Sequence, residues 1–120
     1  MLDLIGLPYE LGAAPGSGKT DCINLVYEVR QRLGLSCPPL RSEWYDGSTT
    51  MVLRALLTWG VRVDDRLYDG DVALASQNDW AFGVVWQTGI LRISELSKAV
   101  AWSPIDSNLI RCRYFRGKSS

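Results

Sequence analysis

From residue 22 onward the apolar side chains Cys22, Leu25, Val26, Val29 and Leu33 recur at three-and-four spacing, the period of a helix with one buried face. Glu28, Arg30, Gln31 and Arg32 fall between them and are expected in solvent. Asp21 is the predicted N-cap, and Gly34 followed by Pro38-Pro39 ends the helix. A second helical pattern covers Met51 to Trp59, with Met51, Val52, Ala55, Leu56 and Trp59 sharing a face, Ser48-Thr49-Thr50 capping it and Gly60 closing it. Past the turn at Asp69-Gly70 the period shortens to that of strands: Val72 to Ala75, Phe82 to Trp86, Ile90 to Ile93, Val100 to Trp102 and Leu109 to Phe115. Val61-Arg62-Val63 is a further candidate strand. Gln87-Thr88-Gly89 reads as a tight hairpin with positive φ at the glycine. Leu2 to Tyr9 reads as a helical turn and an extended arm, Ser36 to Gly47 as an irregular stretch whose Leu40, Trp44 and Tyr45 pack back on the domain, and Arg116 to Ser120 as a fraying tail. Helices first and strands after predict an α+β domain, N-terminal helices packed on a C-terminal antiparallel sheet of about five strands.

Composition narrows this picture modestly. A chain of 120 residues, 47% hydrophobic and 22% charged, has the size and balance of a single globular domain spanning residues 1–120. Its 13 basic and 13 acidic residues cancel, so no bulk field points to nucleic acid or to an anionic membrane as a partner. The start lacks the basic n-region of an export signal and no apolar run approaches a membrane span, so a protein made and kept in a cytosol, or leaving it by a route other than signal-peptide export, is expected. Cys22, Cys37 and Cys112 are odd in number and lack CxxC spacing, which favours free thiols over a disulfide framework or a zinc site. The chain contains no histidine.

Ala13-Ala14-Pro15-Gly16-Ser17-Gly18-Lys19-Thr20 fits a relaxed phosphate-loop pattern, in which backbone N–H groups and Lys19 would meet phosphate and Thr20 a magnesium ion. Its context argues against it. The preceding residues hold Pro8 and Glu10 rather than a buried strand, and the later strands do not alternate with helices. No cofactor is expected. The acidic stretch Asp64, Asp65, Asp69 and Asp71 lacks the spacing of a calcium loop and reads as solvated carboxylates.

Cys22 stands at the mouth of the first helix, where the first free N–H groups and the helix dipole favour a thiolate. The surrounding residues resemble the NlpC family of cell-wall cysteine peptidases in the papain-like superfamily. The resemblance rests on Gly6-x-Pro8-Tyr9-x-x-Gly12 and Asp21-Cys22-x-x-Leu25-Val26-x-x-Val29 closed by Gly34. Further on, Leu67-x-x-Gly70-Asp71-Val72 is similar to the family's LxxGDLV step, Ala81-Phe82-Gly83-Val84-Val85 to its HVGIY strand, and Gly89 to Ser94 to the strand after it. This register implies a papain-like NlpC fold with Cys22 at the nucleophile position. It also puts Ala81 where the general-base histidine belongs, Ile93 or Ser94 where the base is oriented, and Ile23 where the family carries serine. A thiol without an imidazole lacks a partner that titrates near neutrality, and losing such a base typically costs ~10²–10⁴ in rate.

The resemblance and the missing base together imply an inactive copy of the peptidase fold, Cys22 remaining as a small core residue. Such copies serve as structural pieces, and the family's occurrence in bacteriophage tails implies a virion tail component, at a tail tip or baseplate hub, partnered by other proteins of the assembly. Trp80 and Trp102, beside loops, are the interface candidates among five tryptophans. The basic residues Arg111, Arg113 and Arg116, with Lys118, read either as a surface for an acidic partner or as the solvated edge of the last strand. The rival expectation is a peptidase or amidase acting on peptidoglycan through Cys22, with a base supplied by a partner protein or by a carboxylate such as Asp79.

Overall fold

The computed structural model of the chain describes residues 1–11, 13, 17–39, 49–64, 66–74, 82–94, 96–105 and 112–118. A 3-10 turn at Leu2–Leu4 is followed by helices α1 (Cys22–Arg32) and α2 (Thr49–Trp59) and strands β1 (Gly60–Val63), β2 (Val72–Leu74), β3 (Phe82–Trp86), β4 (Gly89–Ser94), β5 (Ala99–Pro104) and β6 (Arg113–Gly117). The strands form one sheet in the order β1-β6-β2-β3-β4-β5. Each neighbouring pair is antiparallel. The α+β class is as expected, with a sixth strand because Val61-Arg62-Val63 joins the sheet against β6.

Both helices lie on one face of the sheet. Leu25, Val26 and Val29 of α1 and Val52 and Leu56 of α2 bury against Val72, Leu74, Phe82, Val84, Leu91 and Phe115. These alternate positions on successive strands share a face because side chains reverse sides at each residue. The intervening positions Val63, Ala73, Val85, Ile90 and Tyr114 form a second cluster on the far face, with Leu67, Ile105 and Cys112 packed against it. Met51 is off the buried face of α2, 43% exposed, whereas Val52 and Leu56 are enclosed. α2 begins at Thr49, so Thr49 and Thr50 lie inside it rather than before it. Ser48 lies outside the described residues.

The extended arm after the first turn lies along β5. Gly6 N–H donates to Val100 O (2.8 Å), Val100 N–H to Leu7 O (2.9 Å) and Tyr9 N–H to Lys98 O (2.8 Å). On its other side Thr20 N–H donates to Pro8 O (2.9 Å) and Glu10 N–H to Thr20 O (3.0 Å). The arm therefore ties one edge of the sheet to the segment that enters α1.

Four sequence expectations are corrected. β6 is an interior strand between β1 and β2, not a solvated edge, and it reaches Gly117, so Arg116 and Gly117 do not fray. Arg30 is completely buried rather than solvent-facing. Gly60 follows the last residue of α2 directly, as expected, and at the same time opens β1, where a side chain would overlap the Arg116 carbonyl oxygen on the adjoining strand. In the β3–β4 hairpin the positive φ values belong to Gln87 (48°) and Thr88 (59°), which form the two-residue turn between the paired Trp86 and Gly89. Gly89 is small for another reason. The Trp102 indole lies where its Cβ would be, with Nε1–H donating to Trp86 O at 2.8 Å. Two non-glycine residues in the left-handed region cost about 1–2 kcal/mol each. Hydrogen bonds from Gln87 N–H to Asp69 Oδ1 (2.8 Å) and from Ile105 N–H to Thr88 O (3.3 Å) hold the turn there.

Candidate functional site

The mouth of α1 is assembled by short-range contacts. Asp21 is extended (φ −121°, ψ 178°), and its side chain accepts from Asn24 N–H at 2.8 Å, the N-cap arrangement that satisfies a free helix donor. Asn24 Nδ2 donates to Ala13 O at 2.8 Å, fastening the incoming loop to the first helical turn. Thr20 is buried and donates its hydroxyl to Asp21 O at 3.2 Å. Cys22 follows as the first helical residue, 5% exposed and part of the main apolar core. Ile23, which the resemblance sets where NlpC peptidases carry serine, is equally enclosed at 6%.

Tyr9, within the quoted Gly6-x-Pro8-Tyr9 motif but given no role from the sequence, is the phenol electrostatically coupled to this corner. Burial, then the neighbouring charges of Cys22 and Asp21, push its pKa above the ordinary tyrosine value. A phenol held protonated in this way donates a proton poorly and is no general base at neutral pH. The Asp21 carboxylate is engaged as the cap. Among the described residues the thiol therefore has a helix N-terminus and a protonated phenol for neighbours, but no imidazole.

Ala81, where the resemblance puts the missing histidine, lies outside the described residues, as do Trp80, Asp79 and Arg111. It directly precedes β3, the strand against which α1 packs. Ile93 and Ser94, expected from the resemblance at the orienting position, end β4, both half-buried. A cavity of about 320 Å³ opens beside α1, between the first turn and Gly18–Thr20, lined by Leu4, Leu7, Lys19, Asn24, Glu28 and Arg32 among others; Cys22 does not line it. Along this rim Arg32 binds Asp3 (2.7 Å) and Glu28 (2.9 Å), and the hydrogen bond from Arg32 holds the Asp3 carboxyl well below its usual range. These groups are exposed, so the pairs stabilise the fold little.

The phosphate-loop arrangement does not form among the described residues. No strand leads into the loop, because Pro8 and Tyr9 make only isolated bridges. Lys19 faces Glu10 at 3.6 Å, and the Thr20 hydroxyl is turned to the backbone. Nor do the aspartates converge. Asp64 pairs with Arg62, Asp69 accepts from Gln87, and no group of three metal-ligating side chains occurs among the described residues. Asp65 and the loop residues 14–16 lie outside the described residues, as do Leu40, Trp44 and Tyr45.

The other sequence-nominated residues are dispersed. Trp102 is 38% exposed on β5. Arg113 and Arg116, three apart on one strand, point to opposite faces. Arg116 is engaged within the molecule: it binds Asp71 through two nitrogens (2.9 and 2.7 Å) and stacks 4.1 Å above the Tyr68 ring.

The sequence reading missed a second polar assembly at the far end of α1. The buried Arg30 donates to Ser36 O and to Gly70 O (2.6 Å), and its guanidinium lies 4.8 Å from the Trp59 ring. Burial lowers its pKa, against the opposing effects of Cys37 and Asp71. Next to Gly70, the buried Asp71 accepts from Arg116 and from Tyr68 N–H (2.9 Å). One turn of chain, Gly70-Asp71, is thus held by arginines from a helix and a strand.

Comparison of the chain with protein-family models, with curated proteins and with solved structures returned no match.

Proposed function

We propose that the chain is a catalytically inactive NlpC-peptidase-like domain that works as a structural or assembly component, of the kind found in bacteriophage tails. The observation that carries the reading is the state of Cys22: at 5% exposure it is enclosed in the apolar core, in a chain with no histidine. The papain-like register supports it by placing Cys22 at a vestigial nucleophile position and Ala81 at the lost base. A thiol so placed acts as a small hydrophobe. With the reaction gone, what the domain offers is a folded surface for other proteins of an assembly.

Incubating the protein with peptidoglycan beside a Cys22→Ala variant tests the loss of chemistry. Neither should release product; release by the parent chain that vanishes in the variant would establish the peptidase reading instead. For the assembly role, the chain should co-sediment with intact tail particles at a fixed stoichiometry. Its absence from purified particles would refute that half of the proposal.

A further inference from the structure

The two edges of the sheet are treated differently. β5 is covered by the chain's own arm through Gly6, Leu7 and Tyr9. Among the described residues β1 pairs only with β6, and its outer edge carries no strand. Exposed side chains lie along it: Val61 is 49% exposed, and the Arg62 and Asp64 side chains are 54% and 75% exposed, 3.1 Å apart.

Which backbone groups face outward follows from the β1–β6 register. Lys118 N–H donates to Trp59 O, so position 59 is a hydrogen-bonding position toward β6, as are 61 and 63 at the same parity. Gly60 and Arg62 then direct their N–H and C=O groups away from the sheet, and Asp64 follows at the same parity just beyond the strand. An antiparallel neighbour can bond only with those even-numbered positions.

We propose that this edge is a self-association surface, and that its occupant is β1 of a second copy of the chain related by a two-fold axis at Val63. In that register Arg62 of each copy stands opposite Asp64 of the other, and each such rung exchanges both backbone hydrogen bonds. The neighbouring even register, centred on Arg62, sets two arginines face to face and is disfavoured. Edge charges of a single sign would only repel a neighbour. Opposite charges two residues apart are self-complementary under a two-fold axis. The Arg62–Asp64 pair inside each copy is solvent-exposed, so exchanging the two internal pairs for two intermolecular ones costs little. The inference is independent of any role for Cys22.

Sedimentation velocity over a concentration series tests it, with circular dichroism to confirm that each variant is folded. The parent chain should show a reversible monomer–dimer equilibrium. Arg62→Asp alone and Asp64→Arg alone, which create like-charge pairs across the axis, should each weaken the dimer by roughly tenfold or more. The double exchange Arg62→Asp/Asp64→Arg should restore it. A parent chain that stays monomeric at every concentration, or a dimer indifferent to the single reversals, overturns the proposal.

Discussion

Helix α1 carries a polar assembly at each end, and the two are opposite in kind. At its start, Asp21, Cys22 and Asn24 have the residue types of an active site, yet their contacts are a cap, a core position and a loop fastening. At its end, Arg30, which by residue type belongs in solvent, is fully enclosed and organises the Gly70-Asp71 turn together with Arg116. Residue chemistry alone ranks the first as functional and the second as surface. Burial and hydrogen bonding give the second the greater hold on the fold, because a buried guanidinium is tolerated only where its donors are satisfied.

The largest effect is expected at the Arg30 end. Arg30→Ala should lower unfolding free energy by about 3–5 kcal/mol, through a void beside Trp59 and unpaired carbonyls at Ser36 and Gly70. Urea denaturation measures it, and a loss under 1 kcal/mol would erase the contrast between the two ends. Arg116→Ala, which strands the buried Asp71 carboxylate, should cost about 3 kcal/mol. Most of that loss should be recovered by replacing both partners, as Arg116→Met/Asp71→Leu.

Alkaline titration extends the contrast to Tyr114, the strand neighbour of Arg116. Burial, with a smaller effect of Cys112, pushes its pKa up to about 12 from the ordinary 10.0. The folded state therefore holds the phenolic proton more tightly than the unfolded chain. The stability this confers is complete below pH 10 and is lost as pH rises to 12, about 2–3 kcal/mol in all. Tyr114→Phe should flatten this slope in denaturation curves taken between those pH values. At the start of the helix the effects should be smallest. Asp21→Ala should cost about 1 kcal/mol as a lost cap. Cys22→Ala should cost about 1 kcal/mol or less as a small core truncation, a difference readable in thermal melts.

What was legible in the sequence was local. The cap at Asp21, the Cys22–Arg32 helix, the stop at Gly34 with its φ of 72° and the β3–β4 hairpin all depend on neighbours within a few residues. The failures involve distant partners. Arg30 meets Gly70, and Arg116 meets Asp71, only once the sheet has formed. A signal for Arg30 was present nonetheless: it lies seven residues from the buried Ile23, two helical turns along the same side. The odd spacing of Arg113 and Arg116 likewise ruled out one shared basic face. Gly89 carried no such local signal, since what fixes it is an indole from the adjoining strand. At the candidate site, the sequence located Cys22 and its helix. Its place on the buried face followed from the helical spacing, whereas the nearness of Tyr9 required the arm to be in place.

The arm also governs the order in which the molecule can be completed. Gly6 and Leu7 bond to Val100, far along the chain from them, so the arm has no partner until β5 exists. Closing so long a loop is entropically unfavourable until the strands around it are paired. Docking of the arm is therefore expected to come late, and Thr20, held by the same arm, to wait with it. The corner around Cys22 is consequently expected among the last parts of the domain to acquire its native geometry, although α1 itself can form early from local contacts.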